Sequence, residues 1–246
     1  MLPLRDANPT RRRPVVTLAL VGAIASVFGF ELIVEVSEGA AGVERLFATF
    51  GVVPASVAVA PASGTLIGPI GLTLLTHQFL HAGLLHAGGN LLYLWIFGNN
   101  VEDRLGRGRY LAFFLAAGVI AGLAQVAVDP SSEIPLVGAS GAISAVLGAY
   151  LVLFPGARIM SLVFLVVVFQ IVSVPAVFLL AFWFVLQVID GVLAVGAAEA
   201  TTGGVAFFAH IGGFLAGVAF GLVLRGFGWP GPVSGPADGS GGSPMG

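Results

Sequence analysis

LVGASGAISAVLG, residues 136–148, holds no charge and no aromatic ring, and it sets a serine, Ser140, between Ala139 and Gly141. A run of this kind has two homes, the core of a soluble domain or a lipid bilayer. Composition decides between them. Of 246 residues, 57% are hydrophobic and 9% are charged, and the mean hydropathy is +1.03. Soluble domains carry about 25% charged residues, so this chain cannot clothe a globular surface in polar groups. It reads as an all-α polytopic membrane protein, because helices satisfy their own backbone hydrogen bonds in lipid. Cysteine is absent, which excludes disulfides, thiolate metal sites and a cysteine nucleophile. No basic run points to nucleic acid. The basic start, MLPLRDANPTRRRP, leads into an apolar stretch without a small-x-small exit, so no cleaved signal peptide is expected.

Working outward in windows of about 20 apolar residues gives spans at 15–35, 82–101, 109–128, 138–154, 175–190 and 204–225. A further apolar stretch, 158–174 (RIMSLVFLVVVFQIVSV), is separated from the fifth span only by Pro175. Two full crossings without a polar turn between them are disfavoured. The stretch is therefore expected to dip into the membrane as a connection, leaving six spans, with seven as the alternative.

Charge placement supports six. All ten basic residues are arginine. With the N-terminus in the cytoplasm of a plasma or inner membrane, nine of them (all but Arg45) fall on the cytoplasmic side, as the positive-inside rule requires. A seventh span would move Arg225 outside. The chain then divides into a basic cytoplasmic segment at 1–14, a six-helix membrane domain at 15–225 and a Gly/Pro/Ser-rich tail at 226–246. That tail is expected to be disordered. The first loop, 37–76, is external and too apolar to stand in water, so it is expected to lie against the membrane.

Polar side chains inside spans are costly in lipid and mark function by default. Span two opens with His77, His81, His86 and Asn90, span four with Ser140 and Ser144, and span six carries His210. These three spans run in the same direction. At 1.5 Å per residue, Ser140, His210, His86 and Asn90 fall at a similar depth in the outer third of the bilayer. Gly213, Gly217 and Gly221 line one stripe of span six, and Gly141, Ala145 and Gly148 one side of span four. Small residues at that spacing let two helices approach closely in lipid. Close approach is what a hydroxyl and an imidazole need in order to meet. The plain alternative is that serine, glycine and histidine here serve helix packing. A zinc site on His81, His86 and His210 is a further alternative, but no H-E-x-x-H and no neighbouring carboxylate supports it. A small transporter would put its polar residues nearer the midplane and show a repeat.

These residues resemble a known family. Gly138-Ala139-Ser140-Gly141 matches the GxSG of the rhomboid intramembrane serine proteases, and Ala209-His210-Ile211-Gly212-Gly213 their AHxGG. His86-Ala87-Gly88-Gly89-Asn90 matches their HxxxN, and Glu102-Asp103-Arg104-Leu105-Gly106 is similar to their ExRxG. The resemblance covers roughly residues 72–225. It implies a six-helix rhomboid-like bundle with Ser140 as nucleophile and His210 as general base, a dyad with no third member. It also implies an oxyanion site from the side chains of His86 and Asn90 and the N–H of Ser140, with Gly138 keeping the backbone open. The implied substrates are transmembrane segments of single-pass proteins, reached from the lipid bilayer, with no metal and no cofactor. A catalytically inactive rhomboid-like binding protein is the alternative within the family. The chain departs from some bacterial members in carrying Ser144, where they place a tyrosine against the histidine, and in lacking their Trp-Arg pair in the first loop. Asp190, at the outer end of span five, is not expected to reach His210.

Overall fold

The computed structural model describes residues 2–65, 68–165, 168–194 and 206–228. Among the described residues, six helices form the bundle: α1 (Val15–Phe50), α4 (Leu84–Leu105), α5 (Arg107–Val128), α6 (Ser140–Leu153), α7 (Ala176–Ala194) and α8 (Phe207–Gly226). Of these, α1, α5, α7 and α8 are long and apolar enough to cross a membrane, α6 is apolar but shorter, and α4 carries His86 and Asn90. The chain is a multi-pass helical membrane protein, as its composition requires.

Several boundaries differ from the expected ones. Helix α1 runs past the first span because only Gly39 leaves helical geometry, at φ 67° and ψ −168°. A left-handed φ there suits glycine alone among common residues, and it turns 40–50 away from the crossing segment. The remainder of the first loop is also helical, as α2 (Pro54–Ser63), α3 (Pro69–Thr76) and a 3₁₀ turn at His77–Phe79. Proline at the first turn starts both α2 and α3, where its missing N–H costs nothing.

The stretch 158–174 is a connection and not a helix. It forms a β-hairpin, β2 (Arg158–Leu165) and β3 (Val168–Pro175), onto which the N-terminal strand β1 (Leu2–Asp6) adds antiparallel. Its β-branched content, with Ile159, Val163, Val168, Ile171, Val172 and Val174, favours extended backbone over helix. The segment 1–14 is thus partly a strand in a sheet at the arginine-rich end of the bundle. There Asp6 accepts hydrogen bonds from Tyr150 Oη (2.7 Å) on α6 and Asn100 Nδ2 on α4. The tail expected to be disordered lies, from residue 229 onward, outside the described residues.

Two features fix the helices that matter for the site. Helix α1 has no capping side chain of its own, and Glu102 supplies one from α4. Its carboxylate accepts from Val16 N (2.9 Å), Thr17 N (2.7 Å) and Thr17 Oγ1 (2.8 Å). The seam of α6 and α8 is the second. A Cβ on Gly213 would overlap the Gly141 carbonyl oxygen, and one on Gly217 that of Ala145, while one on Gly148 would sit 2.9 Å from Val218 N. The small faces read from the sequence therefore meet backbone to backbone.

Candidate active site

Ser140 is the first residue of α6, on a loop whose Gly138 has φ 127°. That conformation strains any other residue, and a Cβ at Gly138 would also come within 2.8 Å of the His86 ring. Gly138 is therefore fixed by both backbone and neighbour. The loop is held from below: Gly138 N donates to His77 O (2.9 Å), and Ala139 N to His81 Nε2 (3.5 Å). His81 is in turn anchored by its own N–H, which donates to the buried Glu31 carboxylate at 3.0 Å. His77 and His81 thus support the serine loop.

Ser140 Oγ lies 2.7 Å from His210 Nε2 on α8. The close seam of α6 and α8 brings the two together, as the glycine stripes suggested. The other ring nitrogen, Nδ1, lies 2.6 Å from Oε1 of Gln187 on α7. An amide oxygen only accepts, so Nδ1 carries the proton and Nε2 presents its lone pair to the serine hydroxyl. No carboxylate meets the imidazole among the described residues. Asp190 is exposed, and Gln187, three residues earlier, is the residue that faces His210. Ser144 does not orient the histidine. Its Oγ donates to Ser140 O at 2.6 Å, the back-bond usual for a helical serine. Trp183 packs near the imidazole instead, with ring centroids 6.0 Å apart.

His86 faces the same space. Ala82 N donates to its Nδ1 (3.4 Å), so the neutral ring holds its proton on Nε2, on the ring edge that faces Gly138. Asn90, one turn along α4, is buried and spends an amide N–H on His86 O at 2.9 Å. Ser140, His210 and His86 open into one cleft of about 1010 Å³, walled by Phe47, Leu84, Leu85 and Leu136 and rimmed by Glu44 and Glu133. Asn90 stands behind this wall. For the zinc alternative, His81 and His210 have both ring nitrogens committed to protein partners, and among the described residues no group of three metal-binding side chains converges.

Gln187 and Glu31 were missed in the sequence. The signal available for each was a polar side chain in a largely apolar span, but no spacing rule links either to its partner.

Comparison with known proteins gives the family. Residues 69–227 match the family model described as the rhomboid domain. The chain is 37% identical over 153 residues to the rhomboid protease GluP of Bacillus subtilis, covering 62% of this chain and 27% of that protein. It is 35% identical over 107 residues to the human mitochondrial presenilin-associated rhomboid-like protein, covering 43% and 27%. A putative rhomboid protease of Bacillus subtilis, YdcA, is 35% identical over 78 residues, 32% of this chain and 39% of that one. The matched stretch spans well under half the length of each relative. With the family model matching more than half of its residues, this chain belongs to the rhomboid family.

Proposed function

We propose that the protein is an intramembrane serine endopeptidase that cleaves transmembrane segments of single-pass proteins within the bilayer or at its edge. The observation that carries this reading is the 2.7 Å approach of Ser140 Oγ to His210 Nε2 in a cleft open to one end of the bundle. That distance is within the range a general base needs. His210 takes the hydroxyl proton as Ser140 Oγ attacks the peptide carbonyl carbon. The negative charge then developing on the carbonyl oxygen meets the Ser140 N–H at the start of α6 and the Nε2–H of His86. Asn90 adds an amide N–H once its side chain turns toward the cleft. Collapse of the tetrahedral intermediate passes the proton from His210 to the leaving amine and leaves an acyl-enzyme on Ser140. Water, activated by the same histidine, attacks the ester and frees the serine.

A substrate helix must unwind to expose a carbonyl, because intact helices hide theirs. Helix-weakening residues near the outer face are thus expected in substrates. Nine of ten arginines lie at the other end of the bundle, which supports a cytoplasmic N-terminus in a plasma or inner membrane. The test is cleavage of a model single-pass substrate by purified protein, together with labelling by a fluorophosphonate. Wild type should do both, and Ser140→Ala and His210→Ala should lose cleavage. Cleavage surviving in Ser140→Ala refutes the assignment. A folded wild type that neither cleaves nor labels favours the inactive binding relative.

A further inference from the structure

Helix α7 is apolar over nearly its whole length, AVFLLAFWFVLQVIDGVLA, and Asp190 is its sole charge. An amide in the middle of such a helix costs free energy in lipid unless it is bonded. Gln187 is bonded, and to a reacting group. We infer that Gln187 is a positioning residue, which holds His210 with its proton on Nδ1 so that Nε2 is free to accept the proton of Ser140. This rests on the serine-protease reading above and extends it.

Three observations carry the inference. The first is geometric: at 2.6 Å from Nδ1, Oε1 is placed to accept and His210 to donate, while Nε2 sits 2.7 Å from the serine oxygen. The chain of donors therefore runs one way, from Ser140 through the imidazole to the amide. The second is the arrangement of α7. Trp183 and Gln187 are four residues apart, one turn on the same face, and both meet His210, the ring at 6.0 Å and the amide by a hydrogen bond. The third is that the other candidates are engaged elsewhere or turned away. Ser144 is committed to Ser140 O, and Asp190 is exposed.

An amide also suits the setting. Soluble serine proteases orient their histidine with a carboxylate, whose burial is offset by many hydrogen bonds. In a lipid-embedded bundle a buried carboxylate is far more costly than a neutral carbonyl. Carbonyl oxygen from an amide suffices for this task, as in enzymes with a Cys-His-Asn arrangement. Its weakness is symmetry. Were the amide turned over, its NH₂ would face Nδ1, the proton would move to Nε2, and the serine would lose its acceptor.

The test compares wild type with Gln187→Leu, Gln187→Met and Gln187→Glu in detergent. Long-range ¹H–¹⁵N spectra of histidine-labelled protein report the tautomer, with His210 assigned by its loss in His210→Gln. Cleavage of the model substrate reports kcat and KM, with Ser140→Ala as the blank. Wild type should show the Nδ1–H form. Both apolar variants should mix the tautomers and lower kcat by about 10- to 100-fold at unchanged KM. Glu should behave like the apolar variants at low pH, where its carboxyl is neutral, and should restore the Nδ1–H signal and bring kcat back to within a few-fold of wild type as rising pH ionises it and leaves it only able to accept. Apolar variants that keep both the wild-type tautomer and the wild-type kcat overturn the inference, as does Glu behaving like Leu at high pH, where its carboxyl is ionised. If wild type fails to cleave while the tautomer shifts as described, the positioning role stands and the protease reading falls. Two apolar variants guard against one that misfolds.

Discussion

Gly217→Ala tests the physical basis of the site, the contact between two helix backbones. A Cβ added at Gly217 would lie 2.7 Å from Ala145 Cα and 2.6 Å from its carbonyl carbon. Carbon atoms settle at about 3.5–4.0 Å, so α6 and α8 must part by about 1 Å. The atoms in the way are backbone, and no rotamer change relieves the overlap. Carried along the seam to the site, that shift takes the Ser140–His210 approach from 2.7 Å to about 3.7 Å, beyond the range of proton transfer. A misplacement of about 1 Å costs on the order of 100-fold in rate, and overpacking costs about 1–3 kcal/mol in stability. The assay is kcat for the model substrate together with the rate of fluorophosphonate labelling, and a thermal melt shows that the protein remains folded. Gly22→Ala on α1, where an added Cβ meets nothing within 4 Å, is the matched control and should leave all three unchanged. If Gly217→Ala labels and cleaves within two-fold of wild type, backbone contact is not what brings the pair together.

Asn90→Ala should slow cleavage by about 100-fold without abolishing it, since one oxyanion donor contributes about that much; loss as complete as in Ser140→Ala would give Asn90 another role. Glu102→Ala should lower stability in a detergent melt by about 2 kcal/mol or more, because hydrogen bonds to a charged acceptor contribute about 1.5–3 kcal/mol each and three converge on this carboxylate. An unchanged melt would refute the capping role. Burial raises the Asp6 carboxyl above its usual 3.8, against the opposing pull of its bonds from Tyr150, Asn8 and Asn100. A raised folded value means that protons favour the folded state, so the Asp6 contribution is fully present below that usual value and is lost as pH rises through the raised one. The melt of wild type should therefore lose stability relative to Asp6→Asn across that window, and parallel profiles would contradict it.

Much of the protein was legible in its residues. Low charge and the apolar runs established a helical membrane protein, and small residues at four-residue spacing marked the faces of α6 and α8 that touch. Ser140 and His210 stood out because a hydroxyl flanked by glycine and an imidazole in lipid are both unusual, and depth along a helix is simple arithmetic. The hairpin at 158–175 was not foreseen because apolar β-branched runs look alike as strand or as membrane segment, and strand β1, which pairs with it, is more than 150 residues away in sequence. The capping role of Glu102 and the support of the serine loop by Glu31 also join residues that are distant in the chain.

Sequence by itself determined the solvent this chain folds in and the approximate spans, because composition and local periodicity carry that information, and its motifs singled out the two residues proposed for acyl transfer. Only the tertiary structure decided that Gln187 meets His210 and that Asn90 turns toward its own helix. Those outcomes depend on how each helix is rotated about its axis, which is set by the summed packing of the whole bundle rather than by any one segment.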